Sequence, residues 1–307
     1  MNKDRTVYVI SGPTAVGKSN IAIELAKMVN GEIVNCDSVQ VYKGLNIGSA
    51  KPSTKELNEI PHHLYDLVDP DYNMTVAIYQ KLAYATLDNI IARGKVPIVV
   101  GGTGLYMNSI LFDMDFGGAG DDGCRRTELE ALAEKMGNDY MHSYLSAVDP
   151  EAAERIHPNN SRKVIRAIEA FELGDGIKDL KECPLNENYN FKFFAITMKR
   201  EILYERINHR VLQMLKSGLE KEIRDLVDRG YSVETPIMTK AIGYKEMLPY
   251  IAGACTLKDA ATEIQKNSRH YAKRQITWLK RYDFVNWIET SPEEPEKSAV
   301  LRILAYK

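Results

Sequence analysis

A loop of eight residues near the N-terminus carries the clearest chemical signal in the chain. Residues 12–19 read GPTAVGKS and fit the pattern G-x-x-x-x-G-K-[ST] at every position. In such a loop the glycines let backbone N–H groups turn inward, and the helix that follows adds partial positive charge. Lys18 supplies a full charge to phosphate oxygens, and Ser19 is placed to hold Mg²⁺. We predict a polyphosphate site formed by Gly12, Pro13, Thr14, Ala15, Val16, Gly17, Lys18 and Ser19.

Two further polar segments follow short apolar runs. Asp37 begins the segment DSVQVY at 37–42, and Thr103 lies within GGTGLY at 101–106. The carboxyl ends of parallel strands face the ligand crevice of an open α/β sheet, so a carboxylate and a hydroxyl there suit a reaction site. From position alone, Asp37 fits a turn cap as well as a base, and the glycine pair fits a tight strand–helix turn. The polar loop at 44–52 is a candidate lining of a substrate mouth.

The elements that position these segments alternate between short apolar strands and longer helices. We predict strands at 6–11, 32–36, 97–100 and 191–197, helices at 18–29 and 75–93, and mostly helical structure after residue 199. This alternation is typical of a parallel α/β sheet.

The pattern changes in the middle of the chain. The segment GGAGDDG at 117–123 is typical of a hinge, 125–173 has a helical pattern, and 174–190 resembles a linker back to the sheet. We therefore predict an α/β fold with a P-loop NTPase-like parallel sheet flanked by helices. Its core would comprise 1–116 and 190–307, and 117–189 would form an all-helical insertion domain.

Charge is distributed unevenly along the chain. The formal net charge is −2, which alone argues against a nucleic-acid-binding protein. The stretch from Glu263 to Arg281 nevertheless holds six basic residues and one acid, a local charge of +5. Solvated helix faces usually mix both signs, so this stretch predicts a surface for phosphates.

Composition and residue spacing argue against several other classes of protein. No apolar run approaches a membrane span, and the N-terminus lacks the pattern of a signal peptide, so we expect a cytoplasmic protein with no membrane contact. The four cysteines are widely spaced, which predicts reduced thiols rather than disulfides or a zinc site. His62 and His63 have no third ligand at metal spacing, and we interpret them as structural.

Taken together, the motifs resemble the tRNA dimethylallyltransferase family in its bacterial form. The resemblance covers nearly the whole chain in the family's order. It is carried by GPTAVGKS at 12–19, DSVQVYKGLNIGSAKP at 37–52, PHHLYDLVDP at 61–70, VGGTGLY at 100–106, VDPEAAERIHPNNSRKVIRAIE at 148–169, AIGYKE at 241–246 and AKRQITWLKR at 272–281.

The resemblance implies a reaction and roles for particular residues. A dimethylallyl group would pass from dimethylallyl diphosphate to the N6 amine of adenosine 37, next to the anticodon of a tRNA. Asp37 would act as the base. The leaving diphosphate would be stabilised by Lys18, Thr103, Arg200 and Ser19 with Mg²⁺.

The resemblance also implies how the anticodon stem-loop is held. The target adenine would leave its stack and enter a pocket formed in part by Asp37, Ser38, Val39, Gln40 and Thr103. The RNA would be held by Arg126, Asn160, Arg162, Lys163 and Arg166 on the insertion and by Lys266, Arg269, Lys273 and Arg274 on the basic C-terminal helix. We expect a monomer.

Three other functions remain open at this point. An adenylate isopentenyltransferase shares a similar core but needs neither a basic C-terminal helix nor a helical insertion. A small-molecule P-loop kinase would leave GGTGLY and the basic helix unexplained. A non-catalytic RNA-binding module would not need the intact phosphate loop.

Overall fold

The core of the protein is a six-stranded, all-parallel β-sheet. The computed structural model describes residues 5–114, 116, 124–172 and 183–306. The strands are β1 (Thr6–Ser11), β2 (Gly31–Cys36), β3 (His62–His63), β4 (Val96–Gly101), β5 (Asn190–Thr197) and β6 (Asn286–Glu289). Their order across the sheet is β3-β2-β4-β1-β5-β6. The predicted α/β fold with a parallel sheet is confirmed.

The central strands are apolar because helices cover both faces of the sheet. Val7, Val9 and Ile10 of β1 are fully buried, as expected of a strand that has no solvent-facing side. The register aligns Ser11 with Ala195 and Cys36 with Gly101. Since all these strands run in one direction, the loops after β1, β2 and β4 leave the sheet at the same edge.

Ten of the described helices lie in the same compact unit as this sheet. They are α1 (Lys18–Val29), α2 (Thr54–Glu59), α3 (Val76–Ala92), α4 (Gly104–Leu111), α9 (Arg200–Lys216), α10 (Leu219–Asp228), α11 (Pro236–Lys240), α12 (Tyr244–Ile251), α13 (Leu257–Leu279) and α14 (Glu296–Ala305). None of the helices that the structure describes is both long enough and apolar enough to cross a membrane.

Local capping determines where two of these helices begin. The Thr75 hydroxyl accepts a hydrogen bond from the Ile78 N–H at 3.2 Å, which starts α3 as its sequence predicts. Thr256 and Asp259 form a reciprocal capping box that starts α13. The long basic helix thus begins at a position dictated by its own sequence.

A second compact unit comprises Phe112–Leu185, and the remainder of the chain forms the first. The second unit contains α5 (Cys124–Met136), α6 (Asn138–Val148), α7 (Pro150–Arg155) and α8 (Ser161–Glu172). These helices pack around their own apolar core, which includes Leu129, Met141, Leu145, Val164 and Ile168. The predicted hinge at 117–123 and most of the predicted linker at 174–190 lie outside the described residues.

Candidate functional site

The phosphate loop joins β1 to α1 and has the backbone that its glycines allow. Gly12 and Gly17 have φ angles of 145° and 102°, and Ala15 has a φ of 65°, which is uncommon for a residue with a side chain. A Cβ on Gly12 would lie 2.4 Å from the Ile196 carbonyl oxygen. Glycine is therefore required at this position by both conformation and space.

Cationic side chains surround the phosphate loop. Lys18 donates to the Pro13 carbonyl at 3.0 Å, Arg206 donates to the Ala15 carbonyl at 3.0 Å, and Arg210 donates to the Thr14 hydroxyl at 3.3 Å. Burial, followed by the nearby charge of Arg210, lowers the pKa of Lys18 to about 8. Burial also lowers the pKa of Arg210, and Asp37 opposes that shift. The contribution of Arg210 to the Lys18 shift shows that these two cations lie close together, as in a site built for an anion.

Arg200 does not take part in this cationic cluster. Its side chain is exposed at the start of α9, and its guanidinium lies 5.1 Å from the centre of the Tyr204 ring. Arg206 and Arg210 lie further along the same helix, separated by four residues, and therefore share the face that meets the loop. Sequence reasoning missed these two residues, although their spacing on a helix that follows a central strand was a usable signal.

Asp37 lies directly after β2, where it caps a turn and lines a cavity. One carboxylate oxygen, Oδ1, accepts hydrogen bonds from the Val39 N–H at 2.8 Å and the Gln40 N–H at 3.4 Å, so the residue does cap the following turn. Asp37 also lines a cavity in the described core. The turn fixes one oxygen and thereby orients the carboxylate.

Thr103 connects the loops that follow β2 and β4. Its hydroxyl accepts a hydrogen bond from the Ser38 N–H at 3.0 Å and lies 3.2 Å from the Ser38 hydroxyl. The predicted residues Asp37, Ser38 and Thr103 are thus brought together at the edge of the sheet, as their positions after parallel strands require.

Gln275 of α13 joins the phosphate loop to the loop after β4. Gln275 is 6% exposed. Its side chain accepts a hydrogen bond from the Thr14 N–H at 2.8 Å and donates one to the Gly102 carbonyl at 3.1 Å. A Cβ on Gly102 would lie 2.0 Å from the Gln275 amide nitrogen, so this close approach requires glycine. Helix α13 therefore holds two loops of the site in addition to presenting basic residues.

The cavity has a volume of about 250 Å³ and is lined by polar residues and by a group of apolar residues, here called the apolar wall. Thr14, Ala15 and Arg210 line it at the phosphate loop, and Asp37, Ser38 and Val39 line it at the turn after β2. The apolar wall consists of Ile207, Val211, Met214, Ile242 and Ile264. Such a cavity suits a ligand with an anionic head and a short hydrocarbon chain.

The basic residues of α13 differ in their surroundings. Arg274 lines the cavity, and its guanidinium lies 5.7 Å from the centre of the Tyr271 ring. Arg269 donates to the Asn208 side chain at 2.5 Å, and exposed Lys266 lies 3.1 Å from Glu263. Lys273 is exposed to solvent.

In the second unit, the predicted RNA contacts form two groups. Arg126 and Arg166 both donate to Glu169, whose side chain is fully buried, with shortest distances of 2.8 and 2.6 Å. Asn160, Arg162 and Lys163 are exposed at the start of α8. The first group therefore has a structural role within the unit, since both guanidiniums bond to the same buried carboxylate.

A magnesium site would rest on few protein groups. Among the described residues, no three His, Cys, Asp or Glu side chains are grouped so as to hold a metal ion. The Ser19 side chain is exposed at the start of α1, immediately after Lys18. One hydroxyl fits Mg²⁺ because this ion usually binds substrate phosphates and water alongside one or two protein oxygens.

The histidine pair lies away from this site, at the β3 edge of the sheet. The His63 Nε2 atom lies 2.7 Å from the Glu32 carboxylate, which also accepts two hydrogen bonds from Arg93. Chiefly through Arg93, the pKa of Glu32 is lowered to about 2.

Comparison with known proteins gives a consistent family relationship. Residues 40–282 match the family model described as IPP transferase, and residues 5–66 match the model described as isopentenyl transferase. A tRNA dimethylallyltransferase of Bacillus subtilis is 44% identical over 95% of this chain and 93% of its own. One from Exiguobacterium sp. is 48% identical over 96% of this chain and 94% of its own.

Solved structures show the same similarity. The full-length tRNA isopentenylpyrophosphate transferase of Bacillus halodurans is 40% identical, with a TM-score of 0.72 over 98% of this chain and 95% of its own. A eukaryotic dimethylallyltransferase acting on tRNA is 30% identical, with a TM-score of 0.84 over 98% of this chain and 78% of its own. The resemblance predicted from the motifs is thus confirmed.

Proposed function

The chain belongs to the IPP transferase family, and we propose that it transfers a dimethylallyl group from dimethylallyl diphosphate to the N6 amine of adenosine 37 in tRNA. The observation that carries this proposal is one cavity with cations at the phosphate loop, an apolar wall and a carboxylate at the turn after β2. These three features match a diphosphate, a dimethylallyl chain and an attacking amine, respectively.

The leaving group is stabilised at the phosphate loop. As the bond between the allylic carbon and the diphosphate oxygen breaks, its electron pair passes to that oxygen. Lys18 and Arg210 lie where this negative charge grows, so they stabilise the transition state more than the ground state. Ser19 would hold Mg²⁺, which would neutralise part of the diphosphate charge.

The acceptor requires removal of a proton. The lone pair of an adenine amine is delocalised into the ring, which makes the amine a weak nucleophile. The N6 atom forms its new bond to the allylic carbon, and the N6 proton passes to the Asp37 carboxylate. Because Oδ1 is held by the turn, the other oxygen, Oδ2, is the atom available to accept that proton.

Nucleoside analysis provides the direct test. tRNA lacking the prenyl group would be incubated with the protein and dimethylallyl diphosphate, digested to nucleosides and analysed by mass spectrometry. We expect N6-isopentenyladenosine from the tRNA and none from free AMP. Product from AMP would favour an adenylate isopentenyltransferase, and a requirement for ATP consumption would favour a kinase.

Donor binding is expected to weaken above about pH 8. The pKa of Lys18 in the free protein is about 8, so its neutral fraction grows above that pH. Bound diphosphate favours the charged form, so affinity is full below about pH 8 and falls by up to about tenfold per pH unit above it. Calorimetric titrations with dimethylallyl diphosphate at several pH values across this range would measure the decrease in affinity. Lys18→Met should bind dimethylallyl diphosphate weakly at every pH, with no further decrease above about pH 8. A parallel decline of affinity in both proteins would contradict the assignment of this pH dependence to Lys18.

A further inference from the structure

The loop at 44–52 forms part of the cavity wall and is linked to the turn that carries Asp37. Gly48 and Ser49 line the cavity. The Gln40 side chain, on the Asp37 turn, donates to the carbonyls of Ser49 at 2.9 Å and Ala50 at 3.1 Å. A displacement of the loop would therefore be transmitted to the acceptor side of the cavity.

A single carboxylate holds this loop from outside the cavity. Glu222 of α10 accepts hydrogen bonds from three successive backbone N–H groups, those of Asn46 at 3.0 Å, Ile47 at 2.7 Å and Gly48 at 3.2 Å. The Tyr244 hydroxyl donates a fourth hydrogen bond to it at 2.7 Å. Each carboxylate oxygen accepts two of these hydrogen bonds. An ionised carboxylate has two acceptor oxygens, whereas an amide has one oxygen and one NH2 donor.

Tyr244 supports the same loop through its ring. The ring is fully buried, and a Cβ on Gly48 would lie 2.6 Å from it. Burial and the adjacent Glu222 carboxylate raise the pKa of Tyr244 well above its usual value, so its hydroxyl stays protonated and continues to donate. The loop is thus in direct contact with α12 while Glu222 holds its backbone.

The other side of the loop is also anchored. Lys51 is almost completely buried and donates to the Tyr42 carbonyl at 2.9 Å, the Asn46 side chain at 3.0 Å and the Asp66 carboxylate at 2.6 Å. These bonds fix the end of the loop but do not reach the N–H groups at 46–48. Glu222 therefore holds the N–H groups at 46–48, and the Tyr244 hydroxyl also interacts with the backbone of Gly48 and Ser49.

We propose that Glu222 is a positioning residue that holds the 44–52 loop in the shape that admits the acceptor nucleotide. This inference rests on the proposed function, because it assigns the loop to the tRNA side of the reaction. The donor side depends on Lys18, Thr14 and Arg210, none of which contacts Glu222 or the loop among the bonds of the described chain. Loss of the Glu222 carboxylate should therefore impair the reaction with tRNA while leaving the affinity for dimethylallyl diphosphate unchanged.

The test compares Glu222→Gln with Glu220→Gln, a matched control on the same helix. Glu220 pairs with Arg224 at the surface and has no bond to the loop. In Glu222→Gln the amide nitrogen must face N–H or O–H donors, so kcat/KM for tRNA should fall about tenfold or more, mainly through KM. The Kd for dimethylallyl diphosphate should stay within about twofold. Tyr244→Phe, which keeps the ring and three of the four bonds, should have a smaller effect in the same direction.

The possible outcomes separate this inference from the proposed function. A parent protein that transfers no prenyl group to tRNA contradicts the proposed function. An active parent whose Glu222→Gln variant has the same KM for tRNA contradicts the positioning role. Equal losses of donor and tRNA affinity, together with a lower melting temperature, also contradict it, because they indicate a general effect on folding.

Discussion

Replacing Asp37 by asparagine is expected to lower the turnover number for tRNA prenylation by roughly 10²–10⁴-fold, the range typical of losing a general base. Asparagine retains an oxygen that can accept the Val39 N–H, so the turn after β2 should keep its shape. It lacks a second oxygen able to take a proton. The variant therefore removes the chemical role of Asp37 while keeping its structural one.

Asp37→Ala provides the comparison, because it removes both roles. It should lose at least as much turnover as Asp37→Asn and should also loosen the turn, with a destabilisation of about 0.5–2 kcal/mol. Single-turnover prenylation assays would measure the chemical step, and calorimetry with dimethylallyl diphosphate would show donor affinity within about threefold of the parent. Near-normal turnover in Asp37→Asn would exclude Asp37 as the base and leave it a turn cap.

The core of the site was predictable because its signals are local. The phosphate loop, Asp37 and Thr103 each follow an apolar run, and parallel strands bring their carboxyl ends to one edge. The strand and helix patterns around them depend on the same local rules. This explains why the predicted strand at 6–11 and helix at 18–29 match β1 and α1 residue for residue.

The missed elements depend on contacts that no local pattern encodes. The strands β3 and β6 are only 2 and 4 residues long, and each pairs with a single neighbour at a sheet edge. Within the region after residue 199 that is predicted to be mostly helical, Ala241, Ile242 and Gly243 separate α11 from α12 and line the cavity.

The same limitation applies to individual site residues. Arg210 and Gln275 act through partners that lie 196 and 261 residues away along the chain. Arg200 lies close to the end of β5, but adjacency in sequence does not determine which face of α9 meets the phosphate loop. Charge signs alone likewise could not reveal that Arg126 and Arg166 neutralise the buried Glu169.

Reversing three lysines of the basic helix is expected to weaken tRNA binding by about 10²-fold at low salt without affecting the donor. Lys266, Lys273 and Lys280 are exposed and recur every seven residues, so they lie along one face that continues to the end of α13. Arg269 is left unchanged because it bonds to Asn208 within the protein. The triple change to glutamate therefore alters surface charge while leaving the contacts of Gln275 intact.

Filter-binding titrations over a range of salt concentrations would measure both affinity and its salt dependence. Each lost phosphate contact should reduce the slope of log affinity against log salt by roughly 0.7–0.9, and the loss should be similar for all tRNA sequences. The matched control reverses Lys81, Lys221 and Lys297, which are exposed on other helices and change the net charge equally. If both triple variants lose the same affinity, net charge rather than the α13 face is responsible. If the α13 variant matches the parent in affinity and in slope, this helix face does not contact RNA, and the role of α13 is to hold the site loops through Gln275.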